Sequence, residues 1–184
     1  MGYTTDFIGK FSLNKELTDK MFKFLTMFNE TRRMKRNVEG AFGIQGEFFV
    51  FGGGSYGQDH ESNVIDYNGA PSTQPGLWCQ WVPTSDRMAI EHDGGEKFYN
   101  YVEWIVYLIN KVLAPNGYVL NGSVDWEGED RYDVGTITII DNRVFIDEGG
   151  EVLPKGNIRT DIVLILDNES GVNLDFTNMR LLEK

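Results

Sequence analysis

The chain is short of the residues that carry most recognisable chemistry. Its 184 residues include one cysteine, Cys79, and two histidines, His60 and His92. A lone cysteine closes no internal disulfide, so a reducing compartment is the expectation. No apolar run approaches the roughly 18 residues of a membrane span, and none is expected. The opening Met-Gly-Tyr-Thr-Thr-Asp lacks the basic region and apolar stretch of a secretory signal, and the protein is expected to be cytoplasmic. Positive charge is scarce as well. The net charge is −11, and from Asn37 to Asp86 there is no Lys or Arg. Phosphate-backbone contacts need a basic footprint, so general nucleic-acid binding is not expected.

The charge is also uneven. Residues 1–36 hold eight Lys or Arg and four Asp or Glu, whereas residues 37–184 hold nine and twenty-four. Hydrophobic residues make up 41% and aromatics 13%, enough for a packed core in a chain of this length. No repeat, low-complexity tract or linker divides it, and residues 1–184 read as a single domain.

Periodicity sets out the elements. Tyr3 to Phe11 alternates as a strand. Leu17, Met21, Phe24, Leu25 and Phe28 then recur at spacings of three and four. This predicts a helix over about 15–33, capped by Ser12 or Asn14. Its end would carry Arg32, Arg33, Lys35 and Arg36, where cations suit the helix dipole or contact an anion or a partner. Glu47 to Phe51 reads as a strand leading into Gly52-Gly53-Gly54-Ser55-Tyr56-Gly57-Gln58-Asp59-His60. Neither a helix nor a lysine follows those glycines, so a turning loop is expected rather than a phosphate cradle. Leu77 to Val82, with Cys79 between Trp78 and Trp81, is apolar on both sides and predicts an inner strand covered on both faces. Cys79 is then a small buried hydrophobe.

Phe98, Tyr101, Val102, Ile105, Leu108, Ile109 and Val112 predict a second helix over about 95–113, capped by Asp93 or a glycine. Tyr118 to Trp126, Gly135 to Ile140 and Arg143 to Ile146 form a three-stranded meander, with Asp141-Asn142 as a tight connection. Thr160 to Leu166 and Val172 to Phe176 read as further strands. The expected fold is α+β, a mostly antiparallel twisted sheet of five to seven strands with two main helices packed on it.

Candidate sites follow from the residue types. Asp59, His60, Asp66, His92, Asp93 and Glu96 are the natural metal ligands. The adjacent pairs Asp59-His60 and His92-Asp93 point to opposite faces of a strand, so no metal site is expected. No cofactor is expected either. A hydrolytic site would use Asp59 and His60 on the glycine loop, with His92 or Glu96 assisting. A ligand site would use Arg32, Arg33 and Arg36 beside Tyr56, Tyr67 and Trp78, pairing guanidinium forks with aromatic faces for a planar anion. Arg, Tyr and Trp are also the residues that anchor protein interfaces.

The words "MGYTTDF", "TRRMKR", "GLWCQWVPT", "DGGEKFYNYVEW", "GYVLNG" and "GEDRYDVGTITIIDN" together resemble a group of uncharacterised single-domain proteins of bacteria and their phages. The resemblance covers about residues 2–144. It implies a compact cytoplasmic, phage-carried domain and transfers no catalytic or binding residue. Residues 147–184 fall outside it and read as a lineage-specific extension. With that setting, the expected function is a non-enzymatic binding protein sequestering a host partner protein or an anionic, nucleotide-like ligand. The alternative is a small hydrolase-like enzyme working from Asp59 and His60.

Overall fold

A computed structural model describes residues 2–51 and 61–148. The glycine loop with Tyr56, Asp59 and His60 lies outside the described residues, as do the strands expected at 160–166 and 172–176.

Strand β1 (Thr5–Leu13) is followed by helix α1 (Asp19–Glu30), then by a short pair, β2 (Lys35–Arg36) and β3 (Val64–Asp66). Next come β4 (Trp81–Pro83), β5 (Ala89–His92), helix α2 (Tyr101–Leu108) and the meander β6 (Leu120–Gly128), β7 (Val134–Ile140) and β8 (Arg143–Glu148). Six strands form one antiparallel sheet in the order β4-β5-β1-β6-β7-β8, and β2 pairs with β3 in a separate two-stranded sheet. The expected α+β fold is therefore what the chain adopts. Asp141 and Asn142, both left-handed, make the two-residue β7–β8 turn that matches the twist of the strands.

The sheet has one dry face. On β1, Phe11 and Leu13 are buried and Phe7 packs with them, while Asp6, Ile8, Lys10 and Ser12 face outward. The alternation continues in β6 and β7 through Leu120, Val124, Trp126, Ile137 and Ile139. Trp126 lies across its β7 partner Gly135, where a methyl group would come within 2.2 Å of the indole. Helix α2 seals this face: Trp81 Nε1 donates to the Tyr101 carbonyl at 2.8 Å, and Tyr101 touches Phe7 and Trp126. Helix α1 packs on α2 through Phe28, whose ring meets Trp104 edge-on and stacks with Tyr107.

Six expectations are corrected. Helix α1 is capped by Thr18, whose hydroxyl accepts from the Met21 amide at 3.3 Å, and not by Ser12 or Asn14. It stops at Glu30 and has no basic residue in its last turn, so the arginines do not serve the helix dipole. Helix α2 starts at Tyr101 rather than near residue 95, because Lys97 and Asn100 take left-handed backbones that a helix cannot contain. Asp93 caps no helix and instead accepts the Gly95 amide at 2.7 Å. A wider π turn over Ile109–Leu113 and a 3₁₀ turn over Ala114–Asn116 continue α2 to the left-handed Gly117.

Glu47 to Phe51 is not a strand. Gly43, Gln45 and Gly46 have positive φ and fold the chain into two successive 3₁₀ turns, Gly40–Phe42 and Ile44–Gly46. The buried Phe48, Phe49, Val50 and Phe51 then run on irregularly. Finally, β4 begins only at Trp81 and lies at an edge of the sheet, not in its interior. Cys79 and Trp81 point into the core while Trp78 and Gln80 are half-buried.

Candidate functional site: two buried arginines

The segment after α1 is built around side-chain hydrogen bonds. Thr31 Oγ1 donates to the Met27 carbonyl at 2.7 Å and accepts the Phe51 amide at 2.9 Å. The chain leaves the helix there in an extended backbone. The Met34 amide donates to the Arg32 carbonyl at 2.9 Å, a tight turn centred on Arg33, and the Arg33 amide donates to the Leu77 carbonyl at 2.8 Å. A register shift between Lys35 and Arg36 follows. In a regular strand Arg33 and Arg36 would face opposite ways; in this irregular segment both turn inward.

The result is two arginines that are 1% and 2% exposed. The Arg33 guanidinium lies 4.2 Å from the centre of the Phe28 ring, and that of Arg36 lies 4.3 Å from the centre of Phe49. Arg33 Nη2 donates to the Phe49 carbonyl. Arg36 Nη1 donates to Asn63 Oδ1 at 2.7 Å. Four buried guanidinium nitrogens, Nε and Nη1 of Arg33 and Nε and Nη2 of Arg36, have no acceptor among the described residues. Among the described residues, no carboxylate forms an ion pair with either.

Burying such charges is costly, and the effect reaches their protonation. Desolvation lowers the Arg33 pKa to about 10, and the neighbouring positive charge of Arg36 adds to the fall. Tyr107, Cys79 and Glu47 oppose it, and Arg33 is still charged at neutral pH. Desolvation also lowers Arg36, with Glu61 opposing.

A buried polar network lies nearby. Glu47 Oε2 accepts the Thr73 hydroxyl at 2.6 Å and the Tyr107 hydroxyl at 3.1 Å. Gln74 Nε2 donates to the Glu47 carbonyl at 2.7 Å and to the Tyr107 hydroxyl at 3.1 Å. Burial, with the Glu47 charge adding to it, raises the Tyr107 pKa and keeps the phenol protonated. Gln74 Oε1 and Trp104 Nε1 are buried and have no partner among the described residues.

No family model, curated protein or solved structure matches this chain.

Arg32 sits differently from Arg33 and Arg36. Its guanidinium lies 4.2 Å from the Tyr67 ring centre and 6.0 Å from that of Trp78, and its Nε donates to the Tyr67 carbonyl at 3.2 Å. Three of the residues singled out in the sequence thus meet at the surface, while Arg33 and Arg36 lie inside. Glu47, Asn63, Gln74 and Tyr107 escaped the sequence reading. Glu47 had one signal, a lone carboxylate at the head of the apolar run Phe48–Phe51. Asn63 had none.

Of the remaining candidates among the described residues, His92 packs against aromatic rings and Glu96 is exposed. His92 stacks on Phe98 at an interplanar angle of 11°, packs against Phe7, and its Nε2 lies 3.3 Å from Gln80 Oε1. Desolvation lowers its pKa against the pull of Asp93 and Asp6. The Glu96 carbonyl accepts from Gln80 Nε2 at 3.0 Å. Among the described residues, no group of three or more His, Cys, Asp or Glu could hold a metal, and no helix is long and apolar enough to cross a membrane. Cys79 is fully buried, its thiol pushed up to about 12 by desolvation, which makes it a poor nucleophile.

Proposed function

We propose that this chain is a non-enzymatic binding protein that holds an anionic ligand on Arg33 and Arg36. One observation carries the reading: two buried guanidinium groups, three residues apart, keep four nitrogens without acceptors and have no carboxylate paired with them among the described residues. An unpaired buried charge costs several kcal/mol, on the order of 3–5 when a partner is removed, so an incoming anion would recover a large favourable term. Aromatic rings lie against both guanidiniums, and Tyr67 and Trp78 add two more beside Arg32. Those surfaces suit the planar part of a nucleotide-like ligand. The setting, in bacteria or their phages, rests on the sequence resemblance, as does a role in sequestering such a ligand.

The test is the intact mass of protein purified gently at low salt, measured by native mass spectrometry, together with thermal melting in a panel of small anions. A bound anionic small molecule, or a melting shift that Arg33→Lys and Arg36→Lys abolish, is the expected result. A clean apo mass with no shift for any anion would remove the site.

A further inference from the structure

Resting on that binding reading, we infer that the charged part of the ligand is a tetrahedral dianion of the phosphoryl type and not a carboxylate. Charge balance is the first reason. Two cations are buried close enough for Arg36 to act on Arg33, and Glu47 and Glu61 offset them through space without an ion pair among the described residues, so a dianion compensates the two guanidiniums more fully than a monocarboxylate. A phosphate monoester carries close to two negative charges at neutral pH and presents three terminal oxygens.

The free N–H groups give the second reason. Arg36 is held by Asn63 through Nη1, which leaves Nε and Nη2, the two parallel donors of the side-on fork, without an acceptor among the described residues. Arg33 uses Nη2 on the Phe49 carbonyl, and its free Nε and Nη1 lie on different edges of the guanidinium plane. The set is therefore one fork plus separately directed N–H groups. A planar carboxylate fills the fork with both of its oxygens. A phosphoryl group fills it with two and offers the third to Arg33. Asn63 is then a positioning residue, which fixes the plane of the Arg36 fork.

Calorimetry with phenyl phosphate, phenyl sulfate and benzoate on the full chain tests this. Phenyl phosphate shares its shape with the singly charged sulfate ester, and benzoate shares only the ring and one charge. At pH 8 phenyl phosphate should bind at least about tenfold tighter than the other two, the scale of one charge-assisted hydrogen bond. Its advantage should shrink at pH 5, below the second phosphate pKa of about 6. Benzoate binding as tightly as phenyl phosphate at pH 8 overturns the phosphoryl assignment and leaves anion binding standing. No binding by any of the three overturns both. Asn63→Asp supplies a second arm, because its carboxylate competes for Arg36. It should weaken phenyl phosphate about tenfold while the apo melting point holds or rises. Unchanged affinity in Asn63→Asp removes the fork from the site.

Discussion

Thr31 and Phe51, twenty residues apart, share a buried hydrogen bond of 2.9 Å in which the Phe51 amide donates to the threonine hydroxyl. The same hydroxyl donates to the Met27 carbonyl in the last turn of α1. Thr31 thus ends the helix and fastens the apolar segment 48–51 against it, which is what draws Arg33 and Arg36 inside. Thr31→Val keeps the shape and removes both bonds. It should cost about 1–3 kcal/mol in urea unfolding, the scale of two buried hydrogen bonds lost together. A midpoint equal to that of the parent would show that the bond does not hold this junction.

Arg33 should be a liability to the empty protein. Replacing a buried charge with an apolar side chain of similar volume is often neutral or stabilising by about 1–4 kcal/mol. Arg33→Met should therefore leave apo stability unchanged or raise it, while abolishing the melting shift produced by phenyl phosphate. A large loss of apo stability would mark Arg33 as a structural residue, held by Phe28 and the Phe49 carbonyl alone.

Cys79 should be silent in the native state. It is fully buried with its thiol pushed up to about 12. Labelling by a thiol reagent at pH 8 should therefore proceed at the rate of unfolding and accelerate with urea. Fast labelling without denaturant would place the thiol at a reachable surface.

His92 gives a pH signature of defined sign. Its pKa is lowered in the folded chain from the usual 6.5, chiefly by desolvation. As pH falls through 6.5 the unfolded chain takes up this proton first, so stability is full above that value and declines toward the folded pKa. His92→Phe keeps the packing on Phe98 and Phe7 without titrating. The stability of the parent relative to this variant should fall between pH 7.5 and 5.5. Parallel profiles across that range would contradict the assignment.

Local patterns determined much of this architecture. The spacing of Met21, Phe24, Leu25 and Phe28 required α1, and the alternation of β6, β7 and β8 around Asp141-Asn142 required the meander, because one apolar face must be buried in each. The same sequence marked Arg32, Arg33 and Arg36 as the concentrated positive charge of an acidic chain. It could not say where the side chains go. Continuous apolar runs such as Phe48–Phe51 and Leu77–Val82 look alike as inner strands, as edges or as irregular core, since none has a period to read. Only the tertiary structure put β4 at an edge and folded residues 40–46 into tight turns. It also buried Arg33 and Arg36 against phenylalanine rings. That last outcome depends on Thr31 meeting Phe51 and on the shifted register at Arg36, contacts between distant segments to which no local pattern refers.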